Sequence, residues 1–374
     1  MQNIKPLKPL QMDFDSYIRQ VEPSKKENGK LWQTAIGLQQ VDGLTPSVYL
    51  YEIAKKYIEG ELSIEEVKEN IATYYETKIG REEINEDEKE ADIVSVRIRE
   101  ILAEKTFIFT PALLCAIYKR LFTGLFYKIK AGIFRDYNIS KKEWILDGES
   151  VFYASADMIK QTLEYDFEKE RNFDYSRLNA EEKIKHLARF IANIWQIHPF
   201  GEGNTRTTAV FTIKYLNSLG YKVSNEPFEK NSLYFRNSLV RANYTNMQNG
   251  IFMNTEFLEK FFKNLLLGEN HELKNRYVHL RYSKSLESEI VQKENENITV
   301  NDTVNITQNI TVKLSQNQQK IIELIKKNPA ILQDQIAQTL GIARETVNRN
   351  MKKLQENKII KRIGADKNGY WQIL

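Results

Sequence analysis

Apolar positions recur at helical spacing along most of the chain. Leu31, Ala35, Leu38 and Val41 fall near one helix face, the three-to-four-residue spacing of a buried stripe. Gly43 is placed to stop that helix, and Pro46 follows three residues later. Thr45 or Ser47 can cap the next helix, over residues 48–58, which Gly60 breaks. Ser63 and Glu66 then have capping-box spacing for a third helix to about Tyr75. Residues 1–29 show little periodicity and read as a mobile arm; residues 80–90 are charged and read as a solvated connector. Helical patterning continues through Leu102 and over 111–126, 156–163, 180–197, 204–219, 232–243 and 254–267. The exception is 143–153, EWILDGESVFY. Two β-prone runs around Asp147-Gly148 predict a β-hairpin.

Near residue 295 the texture changes. NITVNDTVNITQNITV, over 297–312, is Asn/Thr-rich and reads as an extended linker or a short strand pairing between subunits. Beyond it the pattern predicts helices at 316–327, 332–340 and 343–357 and strands at 359–363 and 370–373. Three helices and a hairpin resemble a winged helix-turn-helix. The whole chain carries +4, yet residues 315–374 hold 11 Lys+Arg against 5 Asp+Glu, a balance of +6, leaving −2 for the rest. A basic module on a near-neutral body points to a polyanion. Arg344, Thr346, Asn348, Arg349, Lys352 and Lys353 on the third helix, with Arg362 in the wing, are the candidate DNA contacts. Two copies are expected if the site is palindromic.

Composition narrows the rest. At 374 residues, 41% hydrophobic and 28% charged, the chain is ordinary globular material for two or three domains. Cys115 is the only cysteine, so an intrachain disulfide and a multi-cysteine zinc site are excluded. No signal-type apolar core opens the sequence and no run of 18 apolar residues exists. A cytoplasmic protein without membrane contact is expected.

The most informative stretch is IHPFGEGNTRTTAVF, over 197–211. Pro199 ends a helix, Gly201 and Gly203 permit left-handed backbone, and a new helix begins near Asn204. A Gly-rich turn into a helix N-terminus presents N–H groups to phosphate oxygens. Arg206 in the first turn can reach the same anion. Glu202 is a hard oxygen ligand suited to Mg²⁺. His198 suits proton removal from a hydroxyl, and Phe200 is placed to anchor the loop.

HPFGEGNTR closely resembles the signature of Fic domains, H-x-F-x-[D/E]-G-N-G-R-x-x-R, at His198, Phe200, Glu202, Gly203, Asn204 and Arg206. The resemblance implies a protein adenylyltransferase acting on a Ser, Thr or Tyr hydroxyl of a protein target, with ATP and Mg²⁺ as cofactors. His198 would be the base and Glu202 the metal ligand. Gly201, Gly203, Asn204, Thr205 and Arg206 would hold the nucleotide. GIFRDYNI and YFRNSLVRANY also look like this family, and the second adds Arg241 and Tyr244 as nucleotide contacts. The hairpin would be the family's target-clamping flap. Two signature positions differ. Thr205 stands for a glycine, and Ala209 for the arginine that normally grips the γ-phosphate. Arg236 or Arg241 are candidate substitutes for it.

AIGLQQVDGLTPSVYLYEIAKKYIEGELSIEEV, over 35–67, resembles the small VbhA-type antitoxins that inhibit Fic enzymes. Their [S/T]-x-x-x-E-[G/N] motif aligns with Leu38, Asp42 and Gly43, which makes Asp42 the inhibitory residue. The expected architecture is mainly α: an arm (1–29), a VbhA-like helical unit and connector (30–90), a Fic domain with a hairpin flap (91–290), a linker (291–313) and a winged helix-turn-helix (314–374). The alternative is a nucleotide-sensing DNA-binding regulator with a weakened Fic core.

Overall fold

The structure is a computed structural model. It describes residues 14–19, 22–78, 84–126, 131–221, 223, 226–282, 316–329, 331–340, 344–356, 359–363 and 370–373. The linker at 297–312 and the wing tip at 366–369 lie outside them. The chain forms two compact units, Met1–Ile290 and Val291–Leu374.

The first unit is helical. Helix α1 (Asp15–Ile18) precedes α2 (Pro23–Gly37), which starts on a proline at its first position and runs into a 3₁₀ turn, Leu38–Asp42. Helical order thus begins well before residue 30. Proline is pre-organised for a helix start, and buried Phe14 stacks on Tyr51. Gly43 ends the turn with φ 71°. Ser47 caps α3 (Val48–Glu59) by accepting from the Leu50 N–H, and Gly60 closes it in left-handed geometry. The Ser63–Glu66 capping box forms in full at the start of α4 (Ile64–Lys78). Helix α5 (Glu86–Ala103) packs on α2 and α4. Its buried Asp92 accepts from the Ser47 N–H (2.8 Å) and hydroxyl (2.5 Å) and from Tyr75 Oη (2.7 Å). Burial outweighs these donors and pushes its carboxyl up to about 6.

Helices α6 (Pro111–Phe122), α7 (Ile159–Arg171), α8 (Ala180–Ile197), α9 (Asn204–Ser218), α10 (Glu226–Lys230), α11 (Ser232–Ala242), α12 (Glu256–Leu267) and α13 (Asn275–Val278) complete the unit. Helix α9 is buried continuously from Asn204 to Leu216, touched by α5, α6, α8 and the 3₁₀ turn. A helix polar in sequence survives there because its threonines bond back to carbonyls four residues earlier: Thr207 to Gly203 O (2.9 Å) and Thr212 to Thr208 O (2.7 Å). Phe107, Phe109, Phe167, Phe190, Phe211 and Tyr215 form one aromatic cluster around it. Ala35 and Leu38 belong to this same core.

The Asp147-Gly148 turn forms as expected, with both residues at positive φ. The Gly148 N–H donates to Glu143 O and the Glu143 N–H to Glu149 O, each at 2.9 Å. The arms hold no strand pairs, and Trp144–Leu146 is a 3₁₀ turn. Buried Ile145, Leu146 and Val151 all enter the core, which breaks the alternation a ladder needs.

The second unit contains α14 (Gln316–Lys327), α15 (Gln333–Leu340) and α16 (Arg344–Glu356), then β1 (Ile360–Ile363) paired antiparallel with β2 (Tyr370–Ile373). Its own core joins Ile321, Ile325, Ile336, Val347, Met351 and Trp371.

Candidate functional site

The site is built where α8 stops and α9 starts. Asn179 and Glu182 cap α8 reciprocally at its beginning, and its end is His198 in the left-handed region, φ 49°. A histidine there is strained and must be held. Arg135 holds it. Nε donates to His198 O (2.8 Å), one terminal nitrogen to Tyr137 O (2.6 Å), and the other to Ile197 O (3.3 Å) and Ala154 O. The Arg135 N–H also donates to Pro199 O at 2.9 Å. The next reversal falls on Gly203, φ 71°, where a Cβ would sit 2.4 Å from the Phe122 ring. Left-handed backbone was expected of Gly201 and Gly203; it falls on His198 and Gly203. Phe200 anchors the loop as expected, buried and stacked on Tyr118 at 3.7 Å.

His198 is buried, and its Nδ1 lies 3.0 Å from Trp195 O. A carbonyl only accepts, so Nδ1 carries the proton and Nε2 keeps its lone pair. Burial, with Lys141, Arg236 and Arg135 nearby, holds the imidazole well below its usual range, so it is neutral at pH 7. Tyr153 lies against it, centroid to centroid 4.1 Å. The Tyr153 hydroxyl is buried without a hydrogen-bond partner.

Arg206 does not wait open for an anion. Its guanidinium donates to Asp42 (Nε, 2.7 Å), Gln39 (Nη1, 3.1 Å) and Glu90 (Nη2, 2.5 Å), with the Phe122 ring 4.8 Å beneath. Asp42 thus reaches Arg206 from 164 positions away in the chain. Gly37 allows this approach, since a Cβ there would meet the Glu229 backbone at 2.5 Å. Ser232 donates to Gly37 O at 2.7 Å and fixes the turn. Burial would raise the Asp42 carboxyl, but Arg206, then Lys141 and Arg236, hold it below the ordinary range. At Glu90 burial prevails over Arg206, and the carboxyl is raised.

Glu202 stands half-exposed at the mouth, 3.4 Å from Lys141 Nζ. Among the described residues no three His, Cys, Asp or Glu side chains cluster as a ligand set. A lone carboxylate suits Mg²⁺ that keeps water and takes phosphate oxygens. Asn204 was expected to line the phosphate cradle. Its side chain instead closes the loop on itself, accepting from the Phe200 N–H (3.0 Å) and donating to Phe200 O (2.7 Å). Thr205 Oγ1 accepts from Trp195 Nε1 at 3.0 Å.

The more distant candidates separate. Arg241 donates to Phe252 O at 3.0 Å and steadies that loop. Arg236 is gripped by buried Glu143 through both terminal nitrogens, at 2.8 and 2.9 Å. Tyr244 bonds Glu149 and lines a cleft of about 730 Å³ with Asn138, Tyr153 and Asn246. In the second unit Arg344, Asn348 and Lys352 are exposed on α16, opposite buried Val347, Met351 and Leu354. Arg362 lies over the Trp371 ring at 4.9 Å. The side chains of Thr346, Arg349 and Lys353 lie outside the described residues.

Sequence reasoning missed Gln39, Glu90, Arg135, Lys141 and Tyr153. Arg135 had a signal, since it lies in GIFRDYNI, a segment that resembles the family. Glu90 had none, because it sits in the charged run EDEKEAD, where a buried carboxylate reads like its solvated neighbours.

The Fic/DOC family profile matches residues 108–216 and the winged helix-turn-helix DNA-binding profile residues 314–361. No curated protein matches the chain. Among solved structures, the Fic domain of Bep8 from Bartonella sp. 1-1C is 17% identical, covering 49% of this chain and 87% of its own, TM-score 0.37. BepC with bound AMPPNP from Bartonella tribocorum is 20% identical over 52% of this chain and 92% of its own, TM-score 0.37. A Fic-domain signaling protein from Bacteroides thetaiotaomicron is 18% identical over 66% and 88%, TM-score 0.35. The two profile matches give the chain a Fic/DOC family domain at 108–216, which holds the His198–Arg206 loop, and a C-terminal winged helix-turn-helix at 314–361.

Proposed function

We propose that the protein is a Fic-type nucleotidyltransferase that moves AMP from ATP to a Ser, Thr or Tyr hydroxyl of a protein target, its own chain included. The observation that carries this is His198. Its imidazole is neutral, its Nδ1 is fixed on a carbonyl at the end of α8, and its Nε2 keeps its lone pair. Nε2 takes the hydroxyl proton and the oxygen bonds the α-phosphorus. The bond from that phosphorus to the bridging oxygen breaks, and pyrophosphate leaves with the electron pair. Positioning and charge neutralisation supply most of the rate. Glu202 is the residue that would hold Mg²⁺, which would neutralise phosphate charge. Among the described residues the cleft beside Tyr153 and Tyr244 is lined by no Lys, Arg or His and by one carboxylate, Glu149, which suits an uncharged nucleoside better than phosphates.

The Asp42 and Glu90 carboxylates on Arg206 support autoinhibition, because a polyanion at this helix start must displace both. The C-terminal unit would bind DNA through Arg344, Asn348, Lys352 and Arg362, as a dimer on a palindrome, in the cytoplasm. A second reading, a nucleotide-sensing DNA-binding regulator, is favoured by one observation: every Arg206 nitrogen is already engaged.

The test is incubation with Mg²⁺ and α-³²P-ATP, alone and with bacterial lysate, for wild type, Asp42→Ala and His198→Ala. Label that vanishes with His198→Ala is expected. ATP binding without label in any variant would support the regulator. Label from γ-³²P-ATP alone would mean a kinase.

A further inference from the structure

The charges of three cations act on His198: Lys141 most, then Arg236 and Arg135. The charges of Lys141 and Arg236 also act on Asp42, after Arg206. These four cations are not equally available. Arg206 is buried and holds two carboxylates and an amide. Arg135 is committed to four backbone carbonyls, and moving it would release the strained His198. Arg236 is clamped through both terminal nitrogens by buried Glu143. Lys141 differs. Its side chain is 36% exposed, and its ion pair is a 3.4 Å contact to Glu202, itself 52% exposed. Such an exposed pair is weak and breaks easily. Its backbone is meanwhile fixed, since the Lys141 N–H donates to Ser150 Oγ at 3.1 Å across the 143–149 turn. A flexible ammonium on an anchored backbone stands beside the carboxylate at the mouth of the site.

We infer that Lys141 is a catalytic residue that moves from Glu202 to the nucleotide's phosphate oxygens and neutralises the charge shed onto the leaving phosphates. This rests on the nucleotidyltransferase reading. Departure of Lys141 also frees Glu202 for a cation. A compact, mobile ammonium is suited to following charge as it shifts, whereas a clamped guanidinium is not.

The test compares Lys141→Ala, Lys141→Arg and the surface control Lys160→Ala with wild type. Affinities for ATP and for AMP are measured by competition, beside the rate of label transfer. Lys141→Ala should weaken ATP roughly ten- to a hundredfold, the size of one charge-assisted hydrogen bond, and change AMP less than about twofold. Transfer should fall at least as far, with partial recovery in Lys141→Arg and none of this in Lys160→Ala. The inference is overturned if ATP and AMP weaken alike, or if Lys141→Ala equals wild type. If Lys141 only tethers the turn, Lys141→Ala and Glu202→Gln would lower thermal stability equally and leave the ATP/AMP ratio alone. Failure of the underlying reading looks different: wild type binds neither nucleotide and transfers no label, which removes this inference with it.

Discussion

Opening the contacts around Arg206 should create nucleotide affinity at the expense of stability. A phosphate reaching this guanidinium must displace Asp42 at 2.7 Å and Glu90 at 2.5 Å. Each is a charge-assisted hydrogen bond of about 1.5–3 kcal/mol, so both together oppose binding by about 3–6 kcal/mol. At 1.4 kcal/mol per tenfold, Asp42→Ala should tighten ATP by roughly ten- to a hundredfold. Asp42→Ala with Glu90→Gln should tighten it further, because Glu90 still holds one nitrogen in the single variant. The same changes leave a buried arginine short of partners, which destabilises by up to about 3–5 kcal/mol. The melting midpoint should therefore fall without ligand and recover with saturating ATP, whose phosphates replace the carboxylates. Saturation at a hundred times Kd returns about 2.7 kcal/mol. The assays are calorimetric ATP titration and thermal melts with and without ATP. A double variant that melts lower, binds ATP no better and is not rescued would refute the reasoning and make the two carboxylates purely structural. Deleting the N-terminal helices is the wrong experiment, because Ala35 and Leu38 are part of the main core.

Three further outcomes follow from the geometry. The transfer rate should persist as pH falls through 6.5, since burial lowers the His198 pKa and the neutral base survives in more acid solution; a half-loss at 6.5 in a pH–rate profile would contradict the buried site. Gly203→Ala should lower the melting midpoint well beyond Gly220→Ala. Both have positive φ, but a Cβ at 203 meets Phe122 at 2.4 Å while one at 220 meets open space; equal shifts would discount the contact. In gel-shift titrations, Lys352→Ala should weaken all DNA alike and cut the salt slope by about one, whereas Asn348→Ala should erode discrimination between sequences; the reverse pattern would reassign the two.

What the sequence disclosed and what it withheld divide along physical lines. Helix α8 begins and ends where patterning places it, because its apolar stripe is strong over Ala180–Ile197 and the Asn179–Glu182 capping box found in the fold reinforces its start. The three C-terminal helices follow to within a residue or two for the same reason. Local signals carried these elements. The 143–149 turn was legible from Asp147-Gly148, but its missing ladder was not, because Ile145, Leu146 and Val151 turn inward for tertiary reasons. His198 in left-handed backbone was invisible, since nothing local favours it and Arg135 imposes it from 63 residues away. Glu90 was hidden among solvated carboxylates. Each miss depends on a partner distant in sequence.

Ala209 and Asp42 show why the motif cannot be read letter by letter. A brake whose carboxylate is shortened and whose arginine is absent looks lost in sequence. In the fold Asp42 pairs with Arg206 instead, and Glu90 of α5 adds a second carboxylate. The proposed brake would need a carboxylate within hydrogen-bond reach of an arginine at the α9 N-terminus, and Asp42 and Glu90 on Arg206 would supply it. Restoring the motif should then do harm. Ala209 is fully buried in the main core, where a new guanidinium would compete with Arg206 for Asp42 and Glu90 and its desolvation costs several kcal/mol. Ala209→Arg should lower the melting midpoint by about 2–4 °C per kcal/mol lost and leave ATP affinity no better than wild type. A stable Ala209→Arg protein with tight ATP binding would mean that the arginine seat is still open and that Arg206, held by Asp42 and Glu90, does not stand in for the missing arginine.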